Sequence, residues 1–413
     1  MYKNDFSYIK KIDPEIYHLI ELERERQQTS LSLVASENCV SYGNSCLEGS
    51  FLTNKMSEGY PGNRYSTGCK YIDDIERIAC RRAQELFEAD HANLQCIMAS
   101  YANLAVMISC LNFGEKILAM DLASGGHLTH GHPNHLSGKL FKFHYYNVDP
   151  KTYLLNYDEI LKLARDFRPK LIICGATAYP RNIDFLAFRK IANEVGAYLL
   201  ADIAHIAGLV AARIHQNPGP IADFVTFSTH KTLRAPRGGG ILLCKKQFAK
   251  AIDRAVFPGL QSGPKTDMIA SRAVMLKESA LQSFLDYQHQ VVKNAYVLSQ
   301  ELISKGIDVL TGGTDTHLLL IDLTNLNLSG KEAENLLESV GIIANRNLIP
   351  YDKKPASVTS GLRLGTPNLT ARGMKEKEMK IVASLIVQTL KNKELDNVRQ
   401  KVYKLALKFN NLI

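Results

Sequence analysis

Two charged side chains stand where an α/β sheet does its chemistry. The apolar run Tyr198-Leu199-Leu200-Ala201 ends in Asp202, with His205 close behind, and the next run, Phe224–Phe227, leads through Ser228, Thr229 and His230 to Lys231. If these runs are neighbouring strands joined by one crossover, their carboxyl ends share a rim, and ligands of open α/β sheets bind at that rim. A lysine and a carboxylate there suit pyridoxal phosphate. The amine holds the aldehyde as a Schiff base, and the carboxylate keeps the ring nitrogen protonated so that the ring draws electrons from a substrate. The same spacing also suits an aspartate that caps a turn beside a solvated lysine.

The elements that must position these groups are legible as pattern. Apolar runs at Leu94–Met98, Ile117–Met120, Leu171–Cys174, Tyr198–Asp202, Phe224–Phe227 and Ile241–Cys244 alternate with helical spacing such as Tyr157–Asp166 and Phe188–Val195. Alternation of this kind predicts an α/β fold with a mostly parallel sheet covered on both faces. A long helical pattern from Ala270 to Ser299 precedes strand-like runs at Ile307–Leu310, Leu318–Leu323 and Leu362–Leu364, with helices over Lys331–Ser339 and Glu376–Leu390, a smaller α+β style. The expected division is an N-terminal arm over 1–48, whose Pro14–Ser30 reads as a helix, a large domain over 49–280 and a small C-terminal domain over 281–413.

Composition bounds the function. At 413 residues and 46.0 kDa the chain exceeds one hydrophobic core, and 46% apolar with 22% charged residues excludes disorder as its main state. A net charge of +9 suits anionic small molecules. Lys3, Asp5, Lys10, Lys11, Asp13 and Glu15 break every early apolar stretch, so neither a signal peptide nor a membrane span is expected, and the reading is cytoplasmic. The eight cysteines include no CxxC pair, which argues against a disulfide framework or a zinc knuckle. His127, His130, His132 and His135 cluster without a thiolate or acidic triad, so no metal is expected. Ser228-x-x-Lys231 lacks the companion motifs of a serine nucleophile, and Gly238-Gly239-Gly240 does not open a helix as a dinucleotide turn does. The lysines at 391, 393, 401, 404 and 408, interleaved with Leu405, Leu407 and Leu412, read as the solvated face of a terminal helix, and no aromatic base-reading motif points to nucleic acid.

The wording of the segments adds a resemblance. Ser-Thr-His-Lys-Thr-Leu-Arg-Ala-Pro-Arg-Gly-Gly (228–239) closely resembles the cofactor-lysine segment of the serine hydroxymethyltransferase family. The stretches 202–209, 125–131, 35–38, 57–62, 257–261 and 361–367 resemble other segments of that family, in the same order over nearly the whole chain. The resemblance implies a fold-type I pyridoxal phosphate enzyme, a homodimer or dimer of dimers with shared active sites. The implied reaction interconverts serine and glycine with tetrahydrofolate as co-substrate, through a quinonoid. By the same carry-over, Lys231 forms the Schiff base, Asp202 pairs with the ring nitrogen and His127 stacks on the ring. His205 lies near the phenolic oxygen, and Ala99, Ser100, His230 and Gly263 complete the cofactor site. Ser36, Tyr65 and Arg363 meet the substrate, Glu58 serves as acid and base, and Leu122, Gly126, Leu128 and Asn347 line the folate site.

The chain departs from the family where the cofactor phosphate and substrate are gripped. Met56 replaces a tyrosine, Met98-Ala99-Ser100 replaces Ser-Gly-Ser, Ser262 replaces a glycine, and Ser66 and Thr67 replace a tyrosine and a glycine. Weakened cofactor retention is therefore expected. Two further readings stay open: a folate-independent threonine-type aldolase or transaldolase, and a homologue without catalysis that acts as a binding protein.

Overall fold

Burial on both faces explains why the strand runs of residues 91–244 are so apolar: they form the interior of one seven-stranded sheet. A computed structural model describes residues 6–410, so Lys3, Asp5 and Leu412 lie outside the described residues. The strands are β1 (His91–Asn93), β2 (Lys116–Met120), β3 (Lys142–Tyr146), β4 (Leu171–Cys174), β5 (Tyr198–Asp202), β6 (Phe224–Ser228) and β7 (Gly240–Cys244). They lie in the order β1-β7-β6-β5-β4-β2-β3. Strands β3, β2, β4, β5 and β6 pair in parallel, while β7 runs antiparallel to both β6 and β1. The fold is α/β with a mostly parallel sheet, as the alternating pattern predicts. Helices Ala99–Cys110, Tyr157–Phe167 and Phe185–Val195 pack on it, and Val106, Met107, Ile117, Leu171, Phe224 and Leu242 belong to one buried cluster. Chain order reverses around β2, flanked by β3 on one side and β4 on the other, which makes the loop after β2 a natural ligand-binding position.

Three local readings differ. The run Leu94–Met98 is not a strand, because β1 stops at Asn93. Beyond it, Ile97 N donates to the Gln261 side chain at 3.1 Å and Gln261 Nε2 donates to the Gln95 carbonyl at 2.8 Å, so a side chain takes the place of a ladder. The single helix expected from Ala270 to Ser299 is two, Thr266–Glu278 and Gln282–Ser304, broken where Ala280 N and Leu281 N donate three residues back, to the Lys277 (3.2 Å) and Glu278 (3.0 Å) carbonyls. Edge strand β3 goes unread because its half-exposed residues leave no continuous apolar run.

The chain divides into two compact units, one of residues 43–289 and one of residues up to 42 together with those from 290 onward. The second unit holds a four-stranded antiparallel sheet of β8 (Asp308–Val309), β9 (Leu318–Asp322), β10 (Asn345–Asn347) and β11 (Gly361–Gly365), in the order β8-β9-β11-β10. Leu319, Ile321, Leu337, Leu362, Leu364, Val382 and Ile386 form its core. The N-terminal segment is tied into this unit by buried Arg372, which donates to the carbonyls of Ser30 (2.7 Å), Ala406 (2.7 Å) and Phe409 (2.8 Å). All eight cysteines are free, and among the described residues no helix is long and apolar enough to cross a membrane.

Candidate active site

Register sets the first contact. Asp202 ends β5 opposite Thr226 of β6, and its side chain turns into a buried polar network. Its Oδ1 accepts from Ala204 N at 3.0 Å, while Oδ2 accepts from Asn103 Nδ2 at 2.7 Å and lies 3.0 Å from His130 Nε2. The His127 amide donates to His130 Nδ1 at 3.3 Å, which assigns the His130 proton to Nε2, facing the carboxylate. Asn103 cannot rotate away: its Oδ1 accepts from Thr226 Oγ1 at 2.5 Å and its Nδ2 also donates to Thr129 Oγ1 at 2.9 Å. Burial alone would raise the Asp202 proton affinity. The hydrogen bond from His130, together with that from Asn103, outweighs it and holds the carboxyl well below its usual range.

His127 sits in the turn after β2 and is held as a neutral ring. Its Nδ1 accepts from Thr129 N at 3.2 Å and lies 2.8 Å from Thr129 Oγ1, which leaves the ring proton on Nε2. Burial, reinforced by His130 and by the Lys231 cation, lowers its pKa to about 4. His230 is lowered to about 4 by burial and by Lys231 and Arg237, and its Nδ1 is buried with no protein partner. Lys231 follows β6, and Thr232 fixes that segment to the loop after β5. Thr232 Oγ1 donates to the His205 carbonyl at 3.1 Å and accepts from Gly208 N at 2.9 Å, while Ser228 Oγ donates to the Ala204 carbonyl at 3.1 Å. Asp202, His127, His130, His205, His230 and Lys231 are thus carried by the carboxyl ends of β2, β5 and β6.

Ala99 and Ser100 open a 12-residue helix whose N-cap, Met98, provides no side-chain cap, so its first-turn amides are available to an anion. Gly240 begins β7 against this turn; a Cβ there would lie 2.4 Å from the Met98 carbonyl oxygen and 2.7 Å from Ala99 N, so only glycine permits the approach. A buried ionised carboxylate, a neutral imidazole, an orphaned His230 nitrogen, a lysine and a helix start form a donor set that fits pyridoxal phosphate. Among the described residues no group of His, Cys, Asp or Glu is arranged to hold a metal ion.

Glu58 belongs to a second cluster within the same unit, on the hairpin of Gly59–Tyr60 and Asn63–Arg64. Buried Arg64 pairs with Asp73 at 2.8 Å and Glu76 at 2.6 Å, and its Nη1 donates to the carbonyls of Ser57 (2.8 Å) and Gly59 (2.6 Å), one on each side of Glu58. The Glu58 carbonyl accepts from Tyr65 N at 3.1 Å. Tyr65 is exposed, with its ring edge-on to Phe257. Gly263 lies against Glu58, and Gln95 Nε2 donates to the Gly59 carbonyl at 3.0 Å. Of the folate-site candidates, Leu122, Gly126 and the half-exposed Leu128 lie on the loop after β2.

Ser36, Arg363 and Asn347 belong to the other unit. Arg363 on β11 donates to Asn345 Oδ1 through Nη2 at 3.1 Å, and burial lowers its guanidinium to about 10. Ser36 follows the segment whose Leu33 carbonyl accepts from Gly365 N at 2.7 Å, and Asn347 on β10 pairs with Gly361. Residue-type reasoning missed Asn103, Thr129, Thr226 and Arg64 as positioning groups, and it treated His130 only as part of a histidine cluster. The Gly-Gly-His-Leu-Thr-His wording carried the signal for Thr129 and His130.

A doubly wound sheet with a strand-end carboxylate and lysine on one rim defines the scaffold class, a fold-type I pyridoxal phosphate protein. The family model described as Serine hydroxymethyltransferase matches residues 9–386, and the chain belongs to that family. Membership carries pyridoxal phosphate dependence and transferase chemistry of that type.

Proposed function

We propose that the protein interconverts L-serine and glycine, with tetrahydrofolate as the one-carbon acceptor, as a cytoplasmic homodimer with shared active sites. The observation that carries this reading is the buried carboxylate of Asp202, kept ionised by His130 and Asn103 on the rim that also carries Lys231, in a chain of this family. Bound there, pyridoxal phosphate supplies an electron sink for the bonds at the amino acid's Cα. Lys231 holds its aldehyde, Asp202 a ring N–H, the first turn at Ala99 and Ser100 with Gly263 its phosphate, and His127 presents a neutral ring face. His205 and His230 line the same site.

The protein's own groups do the rest. Arg363 grips the substrate carboxylate with two parallel N–H donors, assisted by Ser36 and Tyr65, and a fixed carboxylate decides which Cα bond is aligned for breaking. Glu58 takes the proton of the serine hydroxyl and returns it in the reverse direction. Leu122, Gly126, Leu128 and Asn347 bind the folate. Exposed Phe51, Met56, Tyr65 and Tyr71 on the 43–289 unit support burial against a second copy.

The test adds pyridoxal phosphate and follows its visible band, then assays serine with tetrahydrofolate beside threonine and phenylserine without it. Folate-dependent serine cleavage is expected. Cleavage of threonine or phenylserine alone would establish the aldolase reading, which the altered Met56, Ser66 and Thr67 rim permits. No spectral change and no turnover would establish a binding protein.

A further inference from the structure

A hydroxyl occupies one oxygen of the carboxylate to which proton transfer is assigned. Ser262 Oγ donates to Glu58 Oε1 at 2.6 Å, and the next residue, Gly263, lies so close that a Cβ there would fall 2.8 Å from Glu58 Cγ and 3.3 Å from Glu58 N. Only glycine at 263 allows the loop to press Ser262 onto this side chain. The contact is held from both directions by one scaffold. Gln261, immediately before Ser262, is anchored to Ile97 N and the Gln95 carbonyl, while the Gln95 amide and Arg64 fix the carbonyls flanking Glu58. These bonds fix the two backbone segments that carry the partners, so the Ser262 hydroxyl and the Glu58 carboxyl stay within reach of one another.

We infer that Ser262 is a positioning residue for Glu58: its hydroxyl holds Oε1, fixes the plane of the carboxyl group and leaves Oε2 as the oxygen that exchanges a proton with substrate. This rests on the proton-transfer role proposed above for Glu58. A carboxyl group without the contact rotates about its last bond and is misaligned for much of the time, which lowers the turnover step rather than substrate binding.

The experiment uses the full-length holoenzyme with serine and tetrahydrofolate, and compares wild type with Ser262→Ala, Ser262→Thr, Glu58→Gln and the Ser262→Ala/Glu58→Gln double variant. A single charge-assisted hydrogen bond of this kind corresponds to about tenfold in rate. Ser262→Ala is expected to lower kcat about tenfold, with KM for serine, the cofactor titration midpoint and the melting temperature unchanged. Ser262→Thr, which keeps the hydroxyl, is expected to restore most of the loss. In the Glu58→Gln background the alanine substitution is expected to do nothing further. The proposal is overturned if Ser262→Ala keeps wild-type kcat, if it raises KM while sparing kcat, or if it lowers the Glu58→Gln variant by the same factor. Should Glu58→Gln itself retain full activity, the assignment of Glu58 fails first and the positioning role falls with it. A Glu58→Gln loss with a silent Ser262→Ala sinks the positioning role alone.

Discussion

Replacing Asp202 by asparagine keeps the side chain's shape and removes its charge. The carboxylate accepts from three donors, Ala204 N on one oxygen and the His130 and Asn103 side chains on the other. An amide turned either way sets its own NH2 against at least one of them. One buried donor left unpaired costs roughly 1–3 kcal/mol. For a unit of this size that corresponds to a melting temperature lower by roughly 2–12 °C, so the variant folds. The catalytic loss should be much larger, because the fixed negative charge behind the cofactor ring is gone. Removing one preorganised electrostatic partner in a buried site lowers kcat by roughly 10²–10³-fold. The assay follows methylenetetrahydrofolate formation at cofactor saturation, with saturation read from the absorbance band. A variant that binds cofactor, melts within the stated range and keeps kcat within threefold of wild type would refute the role given to Asp202.

Four further outcomes are expected. His127 and His230 have folded-state pKa values of about 4 against an ordinary 6.5. The unfolded chain therefore takes up more protons as pH falls from about 6.5 to about 4, and stability declines across that window by up to roughly 1.4 kcal/mol per pH unit for each histidine; urea unfolding of the cofactor-free protein at a series of pH values measures it, and a flat profile would contradict the buried neutral rings. Asp202, held below its usual range, adds a further loss only at more acidic pH. Dialysis should strip the visible band more readily than is typical of the family, and Met56→Tyr should slow that loss; a band that survives extended dialysis unchanged is the contrary result. Arg64→Met leaves buried Glu76 without its cation and Asp73 with Arg77 alone, 3.7 Å away, and should destabilise by about 3 kcal/mol, seen as a lowered melting temperature; a change under 1 kcal/mol would mean the clamp around Glu58 is held by other contacts. Sedimentation should give a dimer or tetramer, and a monomer at working concentration would remove the basis for shared sites.

The sheet and its two chemical strand ends were legible because each buried parallel strand is written as a continuous apolar run, and Asp202 and Lys231 end two of those runs. The edge strand over Lys142–Tyr146 was not, since its faces alternate in exposure and its pattern is diluted. The helix break after Glu278 is a single turn in which Ala280 and Leu281 bond three residues back rather than four, which periodicity averages away. The contacts that tune the site were the least legible. Asn103 reaches Asp202 across 99 residues of sequence, and Ser262 reaches Glu58 across 204. Such pairs are set by strand register and loop anchoring, which no local motif encodes. The substitutions at Ser262 and Met56 were visible as departures from a familiar wording, but the Ser262 hydroxyl acquired a partner only once the loop held by Gln261 was in place.

Everything proposed here requires Lys231 to be the amine that holds pyridoxal phosphate on the rim shared with Asp202. Borohydride reduction of the cofactor-loaded protein, followed by peptide mass mapping, tests it directly. One pyridoxyl group per chain is expected, on the peptide containing Lys231, and none on that segment in Lys231→Ala. Label on a different lysine, or none above a denatured control, would contradict it.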